Sequence, residues 1–288
     1  MFVIIGIVIV IAATLGGFSI AGGKPAVLIH VSEITVVVGI TIGLIVTGTP
    51  MTTLIATFKE LAKTFSGDGP AKNDFMDLLK MLYEMFTLGR RNGLIALDEH
   101  VEEPAQSSIM SKYSSFIKNE ERTEFLINNL RPLIDGKIKP DQIGTLMASE
   151  IKNKHDEGAG PVEVLHLAAD SLPGIGICAA VLGIIITMGV IDQGAGAVGH
   201  KVAAALTGTF LGVWLSYGFL GPLGARMHSV QEKELIYFKV LSEALSGFAK
   251  GLAPAMAIEV ARRTLPSDAR PSASELETML KELTVRKS

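Results

Sequence analysis

Apolar residues along this chain are bunched rather than spread. No Asp, Glu, Lys or Arg falls between Met1 and Gly23, between Ile34 and Phe58, between Ser171 and Ile191, or between Val202 and Ala225. Each run holds roughly 20 residues or more, the length a helix rising ~1.5 Å per residue needs to cross a hydrocarbon core of ~30 Å. Four membrane spans are therefore predicted. Elsewhere the pattern becomes amphipathic. Phe75, Leu78, Leu79, Leu82, Met85 and Phe86 recur at steps of three and four, and Phe125, Leu126, Leu130 and Leu133 do the same. Each set places one apolar stripe along a helix, with Pro132 and Asp135-Gly136 marking a break. After the fourth run, Leu235, Phe238, Leu241, Leu245 and Phe248 carry a stripe onward. No alternating, β-branched run bounded by hairpin turns appears, nor any internal repeat, and the charged C-terminal end is expected to fray.

These patterns predict an all-α integral membrane protein. It has four transmembrane helices, a large helical cytoplasmic insertion between spans two and three, and a cytoplasmic C-terminal helical tail. The expected divisions are a hairpin of spans one and two (1–58), a cytoplasmic helical domain (59–169), a hairpin of spans three and four (170–225) and the tail (226–288). Sidedness comes from charge, because loops rich in Lys and Arg stay in the cytoplasm. Lys24 is the only such residue between the first two spans and Lys201 the only one between the last two; the others gather in 59–154 and after 225. The N-terminus is expected near the outer face and the tail in the cytoplasm. Met1-Phe2-Val3-Ile4 lacks the basic start of a secretory signal, so the first run reads as a retained anchor.

Composition adds exclusions. A formal net charge of -3 gives no reason to expect a nucleic-acid partner. The single cysteine, Cys178, lies inside the third run and reads as a small packed side chain. The histidines His30, His100, His155, His166, His200 and His228 are scattered and form no ligand set. No phosphate loop, H-E-x-x-H or G-x-S-x-G motif is present, so neither enzymatic chemistry nor a metal or cofactor is expected.

Within the spans, small residues recur at steps of four: Gly39 and Gly43, Ala179 and Gly183, then Gly208, Gly212 and Ser216. Such ridges let helix backbones approach closely, within one subunit or between subunits. Pro173 and Pro222 interrupt helical segments at the inner ends of spans three and four, with Asp170 beside the first. A proline removes a backbone donor, and membranes tolerate it where neighbours satisfy the freed carbonyl. Ion pathways generally need an ionisable group at depth. Spans three and four offer hydroxyls such as those of Thr187, Thr209, Ser216 and Tyr217 but no carboxylate, while Asp170 and Glu33 sit at span ends. If ions pass, the titrating carboxylate belongs to a partner. Thr209 and Tyr217 lie two turns apart and can line such a path, although a buried threonine more commonly bonds back to its own helix.

The run Ala205-Leu206-Thr207-Gly208-Thr209-Phe210-Leu211-Gly212, with Pro222 ten positions on, resembles the signature of the MotA family. So do Asp170-Ser171-Leu172-Pro173, Tyr217-Gly218-Phe219, the segment from Arg90 through Gly93-Leu94-Ile95-Ala96-Leu97-Asp98, and Arg270-Pro271-Ser272 with Glu275-Leu276-Glu277. The resemblance spans almost the whole chain. It implies a stator subunit of the bacterial flagellar motor in the inner membrane, a homopentamer in lipid around two copies of MotB. MotB is a single-span, peptidoglycan-binding protein whose helix carries the essential aspartate. It implies further that Pro173 and Pro222 serve torque generation, that Thr209 lies beside the ion path, and that Arg90 engages the rotor protein FliG. The family's acidic partner charge falls on Asp98, where Glu is usual, with Glu99 directly after it and Glu150 a weaker candidate. Sodium-driven relatives tend to carry threonine where this chain has Ala179-Ala180-Val181, so Ala180 points to protons. The alternatives are an ExbB- or TolQ-like motor subunit, a type with typically three spans, and a non-conducting membrane scaffold.

Overall fold

The computed structural model describes residues 2–285; Met1 and the C-terminal Arg286 and Lys287, which enter the patterns above, lie outside the described residues. Among these, twelve α-helices and no strand are present. They are α1 (Phe2–Ile20), α2 (Val31–Gly48), α3 (Met51–Ser66), α4 (Lys72–Asn92), α5 (Asp98–Glu102) and α6 (Ser114–Ile117). There follow α7 (Glu120–Ile134), α8 (Ile143–Met188), α9 (Ala195–Leu215), α10 (Gly221–Ala249), α11 (Pro254–Thr264) and α12 (Ala273–Val285). A π-turn, Ser216–Leu220, joins α9 to α10. Four helical segments are long and apolar enough to cross a membrane: α1, α2, α8, and α9 with its continuation into α10.

The second apolar run ends earlier than its lack of charge implies. Pro50 holds φ -60° and ψ 146°, and Thr49 before it is extended at φ -132° and ψ 130°. A residue preceding proline is pushed out of the α region by the ring. The run to Phe58 is therefore two helices, α2 and α3, rather than one. Pro132, by contrast, lies inside the last turn of α7, and that helix ends at Ile134, two residues before Gly136 with its φ of +69°.

The chain groups into two compact units, residues 2–67 with 158–230, and 68–157 with 231–285. In the first unit the core is small. Val37 of α2 packs with Leu172, Ile175 and Ala179 of α8, and Val162 and Leu165 pack with Leu223 and Met227. Helix α1 has no buried residue. Its exposed apolar face must be covered by lipid or by another subunit. Cys178, expected to be packed, is exposed here.

The second unit holds the larger core, and the stripes read from the sequence build it. Leu78, Leu79 and Leu82 of α4, Phe125 and Leu126 of α7, and Phe238, Leu241 and Leu245 of α10 are all buried together. Phe86 and Phe248 stack with centroids 4.3 Å apart. Burying each such side chain contributes about 1.5–3 kcal/mol. Its buried charges are engaged: Glu84 accepts from Lys112 Nζ and the Tyr113 hydroxyl at 2.8 and 2.7 Å. Arg122 grips Glu234 through Nε and Nη2, and its guanidinium lies 4.0 Å from the Tyr237 ring centre. Burial pushes the Tyr237 phenol well above its ordinary range, against the opposing pull of Arg122.

Candidate functional site

In the first unit α8 and α9 approach backbone to backbone, and the sequence explains why. A Cβ on Gly176 would stand 2.9 Å from the Gly208 carbonyl oxygen, and one on Gly183 would stand 2.7 Å from the Ala205 Cβ. One on Gly208 would meet the Ala179 Cβ at 3.0 Å, and one on Gly212 would run into the Leu172 carbonyl. Two of the predicted ridges thus face each other within the subunit: Ala179 and Gly183 on α8, and Gly208 and Gly212 on α9. Gly39 and Gly43 differ. Nothing of the described chain lies within 4 Å of where their Cβ atoms would be.

The third member of the α9 ridge, Ser216, is buried at 1% exposure. Its hydroxyl donates to the carbonyl of Ala169 on α8 at 2.6 Å. Just past it the backbone widens into the π-turn, where the Gly221 N–H reaches the Ser216 carbonyl five residues back. Pro222 then follows directly within the same continuous helical run, and its missing N–H falls where the π-turn has already widened the backbone. Pro173 lies inside α8, which stays helical through both Pro161 and Pro173. Both proline segments therefore remain helical, and the local cost is absorbed by a widened turn at one and by a neighbour's hydroxyl at the other.

Around this junction the predicted polar residues take distinct settings. Thr209 is half-buried on α9, and its hydroxyl makes no hydrogen bond among the described residues. The back-bonded threonine is instead Thr207, which donates to Ala204. Ala180 is half-buried on α8, and its amide nitrogen would lie 3.3 Å from a Cβ on Gly208. Asp170 is exposed, and Tyr217 is 71% exposed. Asp170 follows Ala169 and Tyr217 follows Ser216, so one hydrogen bond fixes the backbones beside both. Two contacts are not legible in spacing. Trp214 Nε1 donates to Thr14 Oγ1 at 2.9 Å, tying α1 to α9. Glu33 is buried at 7% in the first turn of α2, accepting from Ser32 Oγ. A carboxylate in a first turn is favoured by the exposed N–H groups there.

The charged candidates lie in the second unit and are not all alike. Arg90 is exposed in the last turn of α4, and the chain reverses at Gly93 with φ +84°. Asp98 and Glu99 open α5. Arg90 and Glu99 are exposed, and Asp98 is half-buried. Glu150 is different: Asn129 Nδ2 donates to it at 2.8 Å, which gives that carboxylate a structural role within the unit. Among the described residues no cluster of His, Cys, Asp or Glu could hold a metal ion.

Residues 4–93 match the family model described as motility protein A N-terminal, and residues 117–240 match that of the MotA/TolQ/ExbB proton channel family. The chain is 32% identical over 277 residues to motility protein A of Escherichia coli (strain K12), covering 96% of this chain and 94% of that protein. Among solved structures, C. jejuni MotAB matches with TM-score 0.80 and 25% identity, over 94% of this chain and 98% of that one. The flagellar MotAB stator complex from Bacillus subtilis matches in fold with TM-score 0.78 and 22% identity, over the same 94% and 98%.

Proposed function

The chain belongs to the motility protein A family, as a proton-channel stator subunit of the flagellar motor, and from that premise we propose how its own residues serve the coupling. Spans α8 and α9 form the wall of a proton path whose titrating carboxylate is supplied by MotB. One observation carries this reading. Between Ser171 and Met188, and again between Val202 and Leu220, no ionisable side chain other than Cys178 and Tyr217 is present. A path at membrane depth without a carboxylate or a basic group needs one from outside. Five copies surround two of MotB in the bacterial inner membrane, and the unburied faces of α1 and α2 meet lipid or neighbouring copies. Thr209 and Tyr217 line the path, Ala180 leaves it without the hydroxyl that would help strip water from sodium, and Asp170 stands at its inner mouth.

The segment between the spans and the tail after them lie in the cytoplasm, where their Lys and Arg residues hold them. Four spans return the chain to the side on which it started. The N-terminus therefore shares the cytoplasmic side with the tail, and the expectation of an outer N-terminus fails. Arg90 with Asp98 or Glu99 engages FliG by complementary charge, which gives steering and register to a contact that must form and break. Glu150, already held by Asn129, is the weakest member of that set.

The ExbB- or TolQ-like alternative is not favoured, because the motility protein A N-terminal model covers residues 4–93 and four candidate spans are present. Deleting the gene tests the function. Flagellated but paralysed cells are expected; cells that swim normally, or that lack flagella, would overturn the stator assignment.

A further inference from the structure

Pro173 carries no N–H, so the carbonyl four residues earlier, that of Ala169, loses its helical donor. That carbonyl is the one that accepts the Ser216 hydroxyl, across 47 positions of sequence. We infer that Ser216 is a positioning residue for the coupling step: its hydroxyl replaces the amide proton missing at Pro173 and ties α8 there to the π-turn ahead of Pro222.

The geometry supports this at three points. A buried serine on a helix ordinarily bonds back to its own carbonyl four residues earlier, which here would be Gly212; this one crosses to the neighbouring helix instead. Ser216 continues the Gly208 and Gly212 ridge that seats α9 on α8, so it reaches a stretch of α8 where Pro173 leaves a main-chain acceptor without its helical donor. Its own carbonyl takes the long Gly221 N–H bond that defines the π-turn. One residue is therefore shared by both proline-disturbed segments. If α8 flexes at Pro173, the Ala169 carbonyl moves, and the turn carrying Tyr217 moves with it.

This inference rests on the stator reading above, and the test separates the two. In a strain lacking its own copy, the full chain with its partner is expressed as wild type, Ser216→Ala and Ser216→Cys. Torque at high load is read from tethered cells, with membrane levels measured in parallel. At equal levels, torque is expected to fall at least threefold in Ser216→Ala and to be partly restored in Ser216→Cys, whose thiol is a weaker donor in nearly the same space. The purified complexes are also melted in a double-mutant cycle with Pro173→Ala. The loss in Tm on Ser216→Ala should be large when Pro173 is present. It should be nearly absent in the Pro173→Ala background, where a main-chain N–H reclaims the carbonyl. Full torque in Ser216→Ala, or the same Tm loss in both backgrounds, would overturn the inference. A wild-type chain that fails to restore rotation overturns the stator reading, and the positioning role with it; the melting cycle still decides the hydrogen bond on its own.

Discussion

Individual side chains here answer to their neighbours more than to their own chemistry. Glu259 receives Nε and Nη2 of Arg262 and Nε of Arg263, and the Arg262 hydrogen bond does most to hold its carboxyl at about 2, below the ordinary 4.5. A depressed carboxyl adds stability that is complete above pH 4.5 and disappears as pH falls through about 2. The contribution is on the order of 2 kcal/mol, with partial solvation reducing it. Glu259→Gln should therefore lower the melting temperature at neutral pH, with the gap to wild type closing between pH 4.5 and 2. A gap that stays constant across that range would contradict the assignment. Pro173 is governed in the same way. Pro173→Ala returns an N–H to α8, which then competes with Ser216 for the Ala169 carbonyl. Insertion should remain at wild-type level, by immunoblot of membranes, while tethered cells stop rotating; normal swimming would remove the role given to that proline. The prolines are visible in the sequence as interruptions. Their compensation is not, because a hydroxyl 47 positions away leaves no trace in local spacing.

At the level of helices, what the sequence reveals depends on which physical quantity each pattern reports. The stripes of α4, α7 and α10 can be read residue by residue, and the same residues form the core of the second unit. Burial is set by periodicity, and periodicity is written in the chain. Hydropathy reports transfer to an apolar medium and is silent about backbone turns. It therefore runs the second span through Pro50, and it gives no sign of the π-turn at Ser216–Leu220. Small-residue ridges are legible as ridges, but their partners are not. Ala179–Gly183 and Gly208–Gly212 find each other, whereas an added Cβ on Gly39 or Gly43 meets nothing within 4 Å among the described residues. Adding a Cβ distinguishes the two cases. Gly212→Ala drives a methyl into the Leu172 carbonyl, a backbone atom that cannot swing aside, and should destabilise the fold by about 1–3 kcal/mol. Gly39→Ala should leave unfolding of the single chain in detergent unchanged within about 0.5 kcal/mol. Equal effects from the two substitutions would show that α8 and α9 are not held by that close approach.

For the whole molecule the decisive feature is a mismatch between architecture and chemistry. Four spans provide a membrane wall with unburied apolar faces, yet the depth of spans three and four contains no carboxylate, lysine or arginine. Glu33 is buried, but it stands in the first turn of α2 and is already engaged by Ser32. Asp170 is exposed at the opposite end, before Pro173. Moving a proton between such ends without a group midway means crossing hydrocarbon with a bare charge, which even at the low end of estimates costs several kcal/mol. The chain alone should therefore be nearly proton-tight. Reconstituted by itself in liposomes under an imposed pH gradient, it should show flux no greater than empty lipid. Co-reconstituted with a single-span partner bearing an aspartate, flux should rise at least tenfold, and changing that aspartate to asparagine should return it to the lipid baseline. Efficient flux through the lone chain would mean that it holds a titrating path of its own. Glu33 would then be the first residue to neutralise, because it is the one buried carboxylate in the first unit among the described residues.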